Sequence, residues 1–433
     1  MTYQEALQEI SSLLRFGMKP GLERIQKLLD RMGNPQDRLR FVHVAGTNGK
    51  GSTCALLSSV LTAAGYRTGL YISPYILEFR ERMQINGEMI PKEDLARLTE
   101  QVLPLVKQLE QEGEPLTEFE FITALAMEWF AQSGCDVVVL EVGLGGRFDA
   151  TNIIKTPLVS VIAAVSLDHT GVLGDTVEQI AFEKAGIIKD GGDTVVFPRQ
   201  EPGAMEVIRQ AAQQRHNRLK LGQPEALEPV SSDLLGTQFQ YRGTPMQMPL
   251  IGKHQVQNAS TVLAALEFLQ EKGFQLSQEA IADGFSRVHF PARLELLSQK
   301  PVFLLDGAHN PNGTEALAAA LRQYLPAKKI TAVMGMLADK DTTAAIGHLK
   351  GLFDQVYTLT PDNPRAMDAP ALADLWKGLG ASAQAADTPR QAVEMALAHA
   401  GDEGAVVVCG SLYLAAQVRP IAIEILQSQS PSA

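Results

Sequence analysis

The sequence predicts an α/β fold of two domains, each a parallel sheet covered by helices. Three observations carry this expectation. Strand-like and helix-like segments alternate through most of the chain, the strand-like runs are uniformly apolar, and the same pattern restarts near residue 300. Strands without alternation are buried on both faces, which calls for helices above and below the sheet. A chain of 433 residues also exceeds what one core fills, about 250–300 residues.

The elements follow in order. Two helices, Tyr3–Phe16 and Gly21–Met32, open the chain. Phe41–Ala45 (FVHVA) is a short β-branched run bounded by glycine and reads as a buried strand. A glycine-rich stretch leads from it into a helix over Thr53–Ala64, and Thr68–Ser73 is the next strand. Phe119, Ile122, Ala126, Trp129 and Phe130 recur at helical spacing, so Glu118–Ser133 is an amphipathic helix. Asp136–Val142 and Leu158–Val165 are further buried strands. Leu221–Pro249 has weak periodicity and scattered Gly, Pro and Gln, and is expected to form antiparallel hairpins on the first domain. In the second series Val302–Asp306, Ile330–Met334, Gln355–Leu359 and Ala405–Cys409 are strands, and Thr314–Tyr324, Thr342–Leu352 and Gln391–Ala400 are helices. The boundary falls within Pro291–Pro301, giving domains 1–295 and 296–433, and Gln427–Ala433 reads as a frayed tail.

Composition narrows the function. The net charge is −11 and no Lys/Arg run offers a phosphate-neutralising face, which disfavours nucleic acid. No apolar stretch reaches the roughly 20 residues needed to span a membrane. Met1-Thr2-Tyr3-Gln4-Glu5 has neither the basic nor the apolar part of a signal peptide. Cys54, Cys135 and Cys409 are few and far apart, which argues against a disulfide framework or a cysteine zinc site. A cytoplasmic, monomeric enzyme acting on small molecules is expected.

The richest signal is strand–GTNGKGS–helix over residues 46–52. Glycines at 46, 49 and 51 let the backbone turn tightly and present successive N–H groups. The helix that follows offers its positive end, and Lys50 adds a full charge, so the loop is built to cradle a polyphosphate. The spacing departs from G-x-x-x-x-G-K-[ST], because Val44 stands at the first glycine position and Gly51 separates Lys50 from Ser52. A connector that only turns a strand into a helix needs no Lys50, so nucleotide binding is the stronger reading. The first domain is therefore expected to be P-loop ATPase-like, and the second, smaller one Rossmann-like.

HVAGTNGKGS at 43–52 resembles the ATP loop of the Mur-ligase superfamily, in the version carried by the folylpolyglutamate synthase and dihydrofolate synthase family. Nine further blocks follow in the same order: Ser73-Pro74, LTEFEFITAL at 116–125, LEVGLGGRFDATN at 140–152, SLDHTGVLG at 166–174, EKAGI at 183–187, PARLE at 291–295, DGAHNP at 306–311, GMLADKD at 335–341 and GSLYL at 411–415. The 45 residues ahead of Gly46 hold two helices but no nucleotide-sugar-binding domain, which favours the folate branch over the cell-wall branch.

An ATP-driven amide ligase must bring a carboxylate to a γ-phosphate, and divalent cations neutralise that crowd of anions. Glu141 closes an apolar strand, where ligands gather on an open parallel sheet. Alone, Ser73 reads equally as a Ser-Pro turn. His169 reads as structural, since imidazole is an unusual magnesium ligand. Lys184 reads as a surface lysine on a helix. The resemblance implies more: Ser73, Glu141 and His169 hold two Mg²⁺ ions, and Lys184 is carbamylated by CO₂, turning an ammonium into a carboxylate-like group that supports magnesium.

The resemblance further implies that Thr47, Asn48, Gly49, Lys50, Gly51, Ser52, Asn258, Arg293 and Asp306 bind ATP, and that Lys50, Lys184 and His309 are catalytic. It places a folate at Thr117, Glu118, Phe119, Glu120, Phe148, Asp149 and Ala150, and the incoming L-glutamate at His309 and Ser411. Arg80 and Arg82 are local cations suited to attracting polyglutamate. Gly17–Lys19 matches a pterin-contacting stretch of the bifunctional enzymes but lacks an acidic residue, so the chain looks nearer the monofunctional folylpolyglutamate synthases. The implied activity is addition of L-glutamate to the γ-carboxylate of a folate through an acyl phosphate. The alternatives are a bifunctional enzyme that also joins dihydropteroate to glutamate and, more distantly, a non-catalytic nucleotide-binding switch.

Overall fold

The computed structural model describes residues 1–17 and 19–429. The chain divides into two compact units, Met1–Leu227 with Tyr241–Thr244 and Gln257–Val288, and Glu228–Gln240 with Pro245–Val256 and His289 onward.

The first unit is built on an eight-stranded sheet in the order Glu88–Met89, Met83–Ile85, Thr68–Tyr71, Val137–Glu141, Phe41–Ala45, Val159–Ile162, Asp193–Val196, Arg218–Leu221. Six strands are parallel, and an antiparallel hairpin closes one edge. Every residue of the five strands from Thr68–Tyr71 to Asp193–Val196 is buried, and since successive side chains point to opposite faces, both faces are covered. Helices Tyr3–Ser12, Glu23–Arg31, Lys92–Gln111 and Glu118–Gln132 pack an apolar cluster around Val138, Leu140 and Tyr71. Helices Val177–Lys184 and Pro202–Gln214 pack another around Ala45, Val142, Ile162 and Val196. The Lys50–Ala63 helix is braced by the Gln278–Arg287 helix. A Cβ on Gly284 would lie 2.7 Å from the Val60 nitrogen, and the Ser59 hydroxyl donates to the Gly284 carbonyl at 2.6 Å.

The second unit holds a six-stranded sheet, Glu295–Gln299, Val302–Leu305, Ala405–Cys409, Ile330–Met334, Gln355–Thr358, Ala383–Ala385, antiparallel only at its first pair. Its core joins Leu304, Val407 and Met334 to Leu317, Leu321, Ile346 and Trp376 from the flanking helices.

Several expectations need correction. Glu295 stands with the second unit: it pairs with Leu305, and its carboxylate takes three bonds from Arg419 at 3.0, 3.0 and 2.6 Å. The sheet of Leu227–Asp233, Gly236–Tyr241 and Thr244–Met248 was expected on the first domain but groups mainly with the second unit. There Ser232 meets the Tyr324 hydroxyl at 2.7 Å and Leu234 packs on the core. The strand expected over Leu158–Val165 ends at Ile162, and the helix expected from Thr53 begins at Lys50. The helix Leu412–Gln429 takes in the first part of the expected tail, and residues 430–433 lie outside the described residues, as does Met18 of the Gly17–Lys19 stretch. No helix among the described residues is long and apolar enough to cross a membrane.

Candidate active site

The phosphate loop connects the Phe41–Ala45 strand to the Lys50–Ala63 helix. Two of its glycines have no room for a side chain. A Cβ on Gly46 would lie 2.7 Å from that of Ala163, and Gly49, left-handed at φ 81°, would press one to 2.7 Å from Asn258 Oδ1. Asn258, from far along the chain, thus sits against the loop. The Thr47 and Asn48 N–H groups both donate to the Ala164 carbonyl at 2.7 and 3.1 Å, and the Thr47 hydroxyl donates to the Ser166 carbonyl at 3.0 Å. The Val159–Ile162 strand stops here because the next carbonyls, of Ala164 and Ser166, serve the loop rather than a neighbouring strand. The Lys50–Ala63 helix starts from its N-cap Gly49, and the first turn of a helix points its N–H groups and the positive end of its dipole outward, which makes this end a natural anion seat. Lys50 Nζ lies over the loop, donating to Gly46 O at 3.0 Å and Thr47 O at 3.4 Å.

Glu141 closes the neighbouring strand in register with Val44, and is only 4% exposed. The Ser73 N–H donates to its Oε2 at 3.2 Å, so the structure brings these two expected metal residues together beside the loop. Cys54 registers the surrounding charges: burial pushes its thiol up, Glu141 adds to this and Lys50 opposes it. His169 is left-handed at φ 51° and caps the short Thr170–Leu173 helix. Its N–H donates to Asp168 Oδ1 at 2.8 Å. Among the described residues no group of three or more His, Cys, Asp and Glu side chains is arranged to hold a metal ion. A buried carboxylate next to a serine does fit magnesium, which is commonly bound through one or two carboxylates, its remaining places filled by water and substrate phosphate.

Lys184 is not on the surface, as its sequence context alone suggested. It ends the Val177–Lys184 helix, is 3% exposed, and donates to Gly46 O at 3.0 Å. Burial pushes its ammonium down to about 7; Lys50 adds to the shift, and Asp168, Asp149 and Glu183 oppose it.

The expected folate residues are placed unevenly. Thr117 and Glu120 form a capping box at the start of the Glu118–Gln132 helix, and Glu120 also pairs with Arg24 at 3.0 Å. Glu118 is pushed up by burial and held back by Arg82. Phe119 lies over Gly143, whose Cβ would meet the ring tip at 2.5 Å. Phe148 is 51% exposed, and Ala150 is buried. Asp149 accepts from the Leu144 N–H at 2.8 Å and from the Thr151 N–H and hydroxyl at 3.0 and 2.6 Å; burial raises its carboxyl against those bonds. Thr151 in turn meets His43 Nε2 at 2.9 Å, and burial, then Lys189, brings that imidazole down to about 3. This buried chain was missed, since His43 reads only as one polar residue in an apolar strand. Arg80 grips both Glu78 oxygens at 2.6 and 2.9 Å and donates to Ile90 O at 3.0 Å, bracing its own loop. Arg82 stands over the rings of Tyr75 and Phe79.

In the second unit four expected residues gather where adjacent parallel strands Val302–Leu305 and Ala405–Cys409 end. Asp306 accepts from the Leu294 and Ala308 N–H groups at 2.8 Å each; burial raises its carboxyl and Arg293 opposes. Arg293 is flanked by Ala292 and Leu294, both left-handed at φ 55° and 49°, a costly backbone held in place by its surroundings. His309 Nδ1 lies 2.8 Å from Gly307 O. Ser411 is buried and accepts the Tyr413 N–H at 3.1 Å. His254, which nothing in the local sequence marks as functional, is brought down to about 4 by burial and then by Arg293.

Comparison with known proteins agrees with this geometry. Residues 44–266 match the Mur ligase middle domain and residues 292–412 the Mur ligase glutamate ligase domain. The chain is 38% identical to the dihydrofolate synthase/folylpolyglutamate synthase of Bacillus subtilis, over 96% of this chain and 98% of that protein. It is 37% identical to the folylpolyglutamate synthase of Lacticaseibacillus casei, over 97% and 98%. The structure of Mycobacterium tuberculosis folylpolyglutamate synthase complexed with ADP superposes with a TM-score of 0.87 at 32% identity, covering 99% of this chain and 100% of that one.

Proposed function

The chain belongs to the Mur ligase superfamily, in its folylpolyglutamate synthase and dihydrofolate synthase family, and from that premise we propose that it adds L-glutamate to the γ-carboxylate of a folate, driven by ATP. The observation that carries this reading is the convergence of Lys50, Lys184 and the Glu141 strand end on one phosphate loop.

The loop N–H groups and Lys50 seat the triphosphate, with Asn258, Arg293 and Asp306 as the further ATP residues. A folate carboxylate oxygen then bonds to the γ-phosphorus as the bond to the ADP oxygen breaks. The glutamate amine next attacks the acyl carbon, phosphate leaves, and the amine loses a proton. Ser73, Glu141 and His169 would hold Mg²⁺, which supplies charge neutralisation between the phosphates and the carboxylate. Lys184 reacts with CO₂ as the neutral amine, forming an N–C bond and releasing a proton, and the carbamate then adds a negative group beside the loop. Phe148 and its neighbours, with the Thr117–Glu120 turn, receive the folate, and His309 and Ser411 receive the glutamate.

A second reading has one specific support. The Bacillus subtilis relative carries a double name, so this chain is a candidate for joining dihydropteroate to glutamate as well. Purified protein given ATP, glutamate and either tetrahydrofolate or dihydropteroate separates the two. Glutamate-dependent ADP release with tetrahydrofolate is expected; release with dihydropteroate establishes the second activity; release with neither overturns both.

A further inference from the structure

Two backbone segments meet beside Lys184 with space only for glycine. A Cβ on Gly146 would lie 2.8 Å from the Glu183 carbonyl oxygen and 3.0 Å from that of Lys184, and a Cβ on Gly186 would lie 2.5 Å from Arg147 Cα. Arg147 ties the two strips together from outside. Its N–H donates to Glu183 O at 2.8 Å, its Nη2 donates to Phe182 O at 3.2 Å, and its guanidinium lies 3.9 Å over the Phe182 ring. Asn152 ties them from inside. It is buried, and its Nδ2 donates to both Arg147 O at 3.0 Å and Gly186 O at 3.2 Å. One carboxamide therefore joins the two segments, two residues beyond the lysine that reaches Gly46.

We propose that Asn152 is a positioning residue for Lys184, its carboxamide fastening the 147 and 186 backbones so that the lysine stem is delivered to the phosphate loop. This rests on the reading that Lys184 serves the ligase reaction. Both bonds need N–H donors aimed at carbonyl oxygens, which an amide supplies and an ionised carboxylate of the same shape lacks. Displacing a working group by about 1 Å costs on the order of 100-fold in rate.

The test compares the full-length wild type with Asn152→Asp in steady-state kinetics and in amide hydrogen exchange. Expected are a kcat lower by about 100-fold with the KM for ATP within about twofold, and exchange over 183–187 faster by about tenfold while that over 50–63 is unchanged. Any other pairing overturns the proposal, whether kcat falls without a local change in exchange, exchange quickens without loss of kcat, or both segments loosen equally. Asn152→Ala, which buries no charge, carries the same comparison if the aspartate variant does not fold. A wild type without ligase turnover would sink the proposed function, while the exchange comparison would still report on the clamp.

Discussion

Lys50 and Lys184 donate to one acceptor, the carbonyl oxygen of Gly46, at 3.0 Å each. Two ammonium groups on one carbonyl repel, and the strain falls on the one with less water. That is Lys184, brought down to about 7 by burial and then by Lys50. The same contact that crowds the charges favours the neutral amine of Lys184, the form that the proposed carbamylation requires.

Lys50→Ala is expected to lower ligase turnover by about 10²–10³-fold, the scale of losing one charge-stabilising donor. Lys50 bonds to the loop carbonyls of Gly46 and Thr47, so the thermal melt should stay near that of wild type. Turnover within a few fold of wild type would remove the phosphate-loop assignment.

Lys184→Ala is expected to lose activity and to regain part of it with added formate or acetate, which restore a negative group. Intact-protein mass spectrometry under CO₂ should show the wild type heavier by one carbamate, and this variant unmodified. An active wild type without that modification would end the carbamate reading.

Lys184 also predicts a pH dependence of stability. Its ammonium is depressed from 10.5 to about 7 in the fold, so between those values the unfolded chain binds the extra proton and the native state does not. Stability should therefore rise with pH across this window and level off outside it. In CO₂-free buffer the melting temperature of wild type, relative to Lys184→Met, should climb from pH 7 to pH 10; a flat difference would contradict the burial of this group.

Arg419→Ala should destabilise the second unit by about 3 kcal/mol, because it leaves the Glu295 carboxylate without its half-buried partner. Urea unfolding followed by Trp376 fluorescence, a core residue of that unit, measures this. A midpoint unchanged within error would show the pair to be fully solvated.

Much of this was legible in the sequence, and the residues show why. Phe41–Ala45, Ile330–Met334 and Ala405–Cys409 were read to the residue, because an unbroken apolar run bounded by polar or glycine residues admits few other structures. The phosphate loop was legible through local chemistry: glycine where no Cβ fits, and a lysine at the helix start. Lys184 was not, since its acceptor is 138 positions away and an isolated lysine on a helix carries no mark of burial. Asn152 was hidden for the same reason, its two acceptors belonging to different segments. The 227–248 sheet was recognised as hairpins but assigned to the wrong unit, since strand pairing says nothing about which core a sheet covers.

Gly284 lets the Gln278–Arg287 helix rest directly on the Val60 backbone. The nucleotide end of the molecule therefore has a stiff floor: the Lys50–Ala63 helix has little freedom to tilt or slide as phosphates arrive and depart. A bulkier residue at position 284 would disturb the timing of nucleotide exchange from the far side of the helix, without touching a single ligand atom.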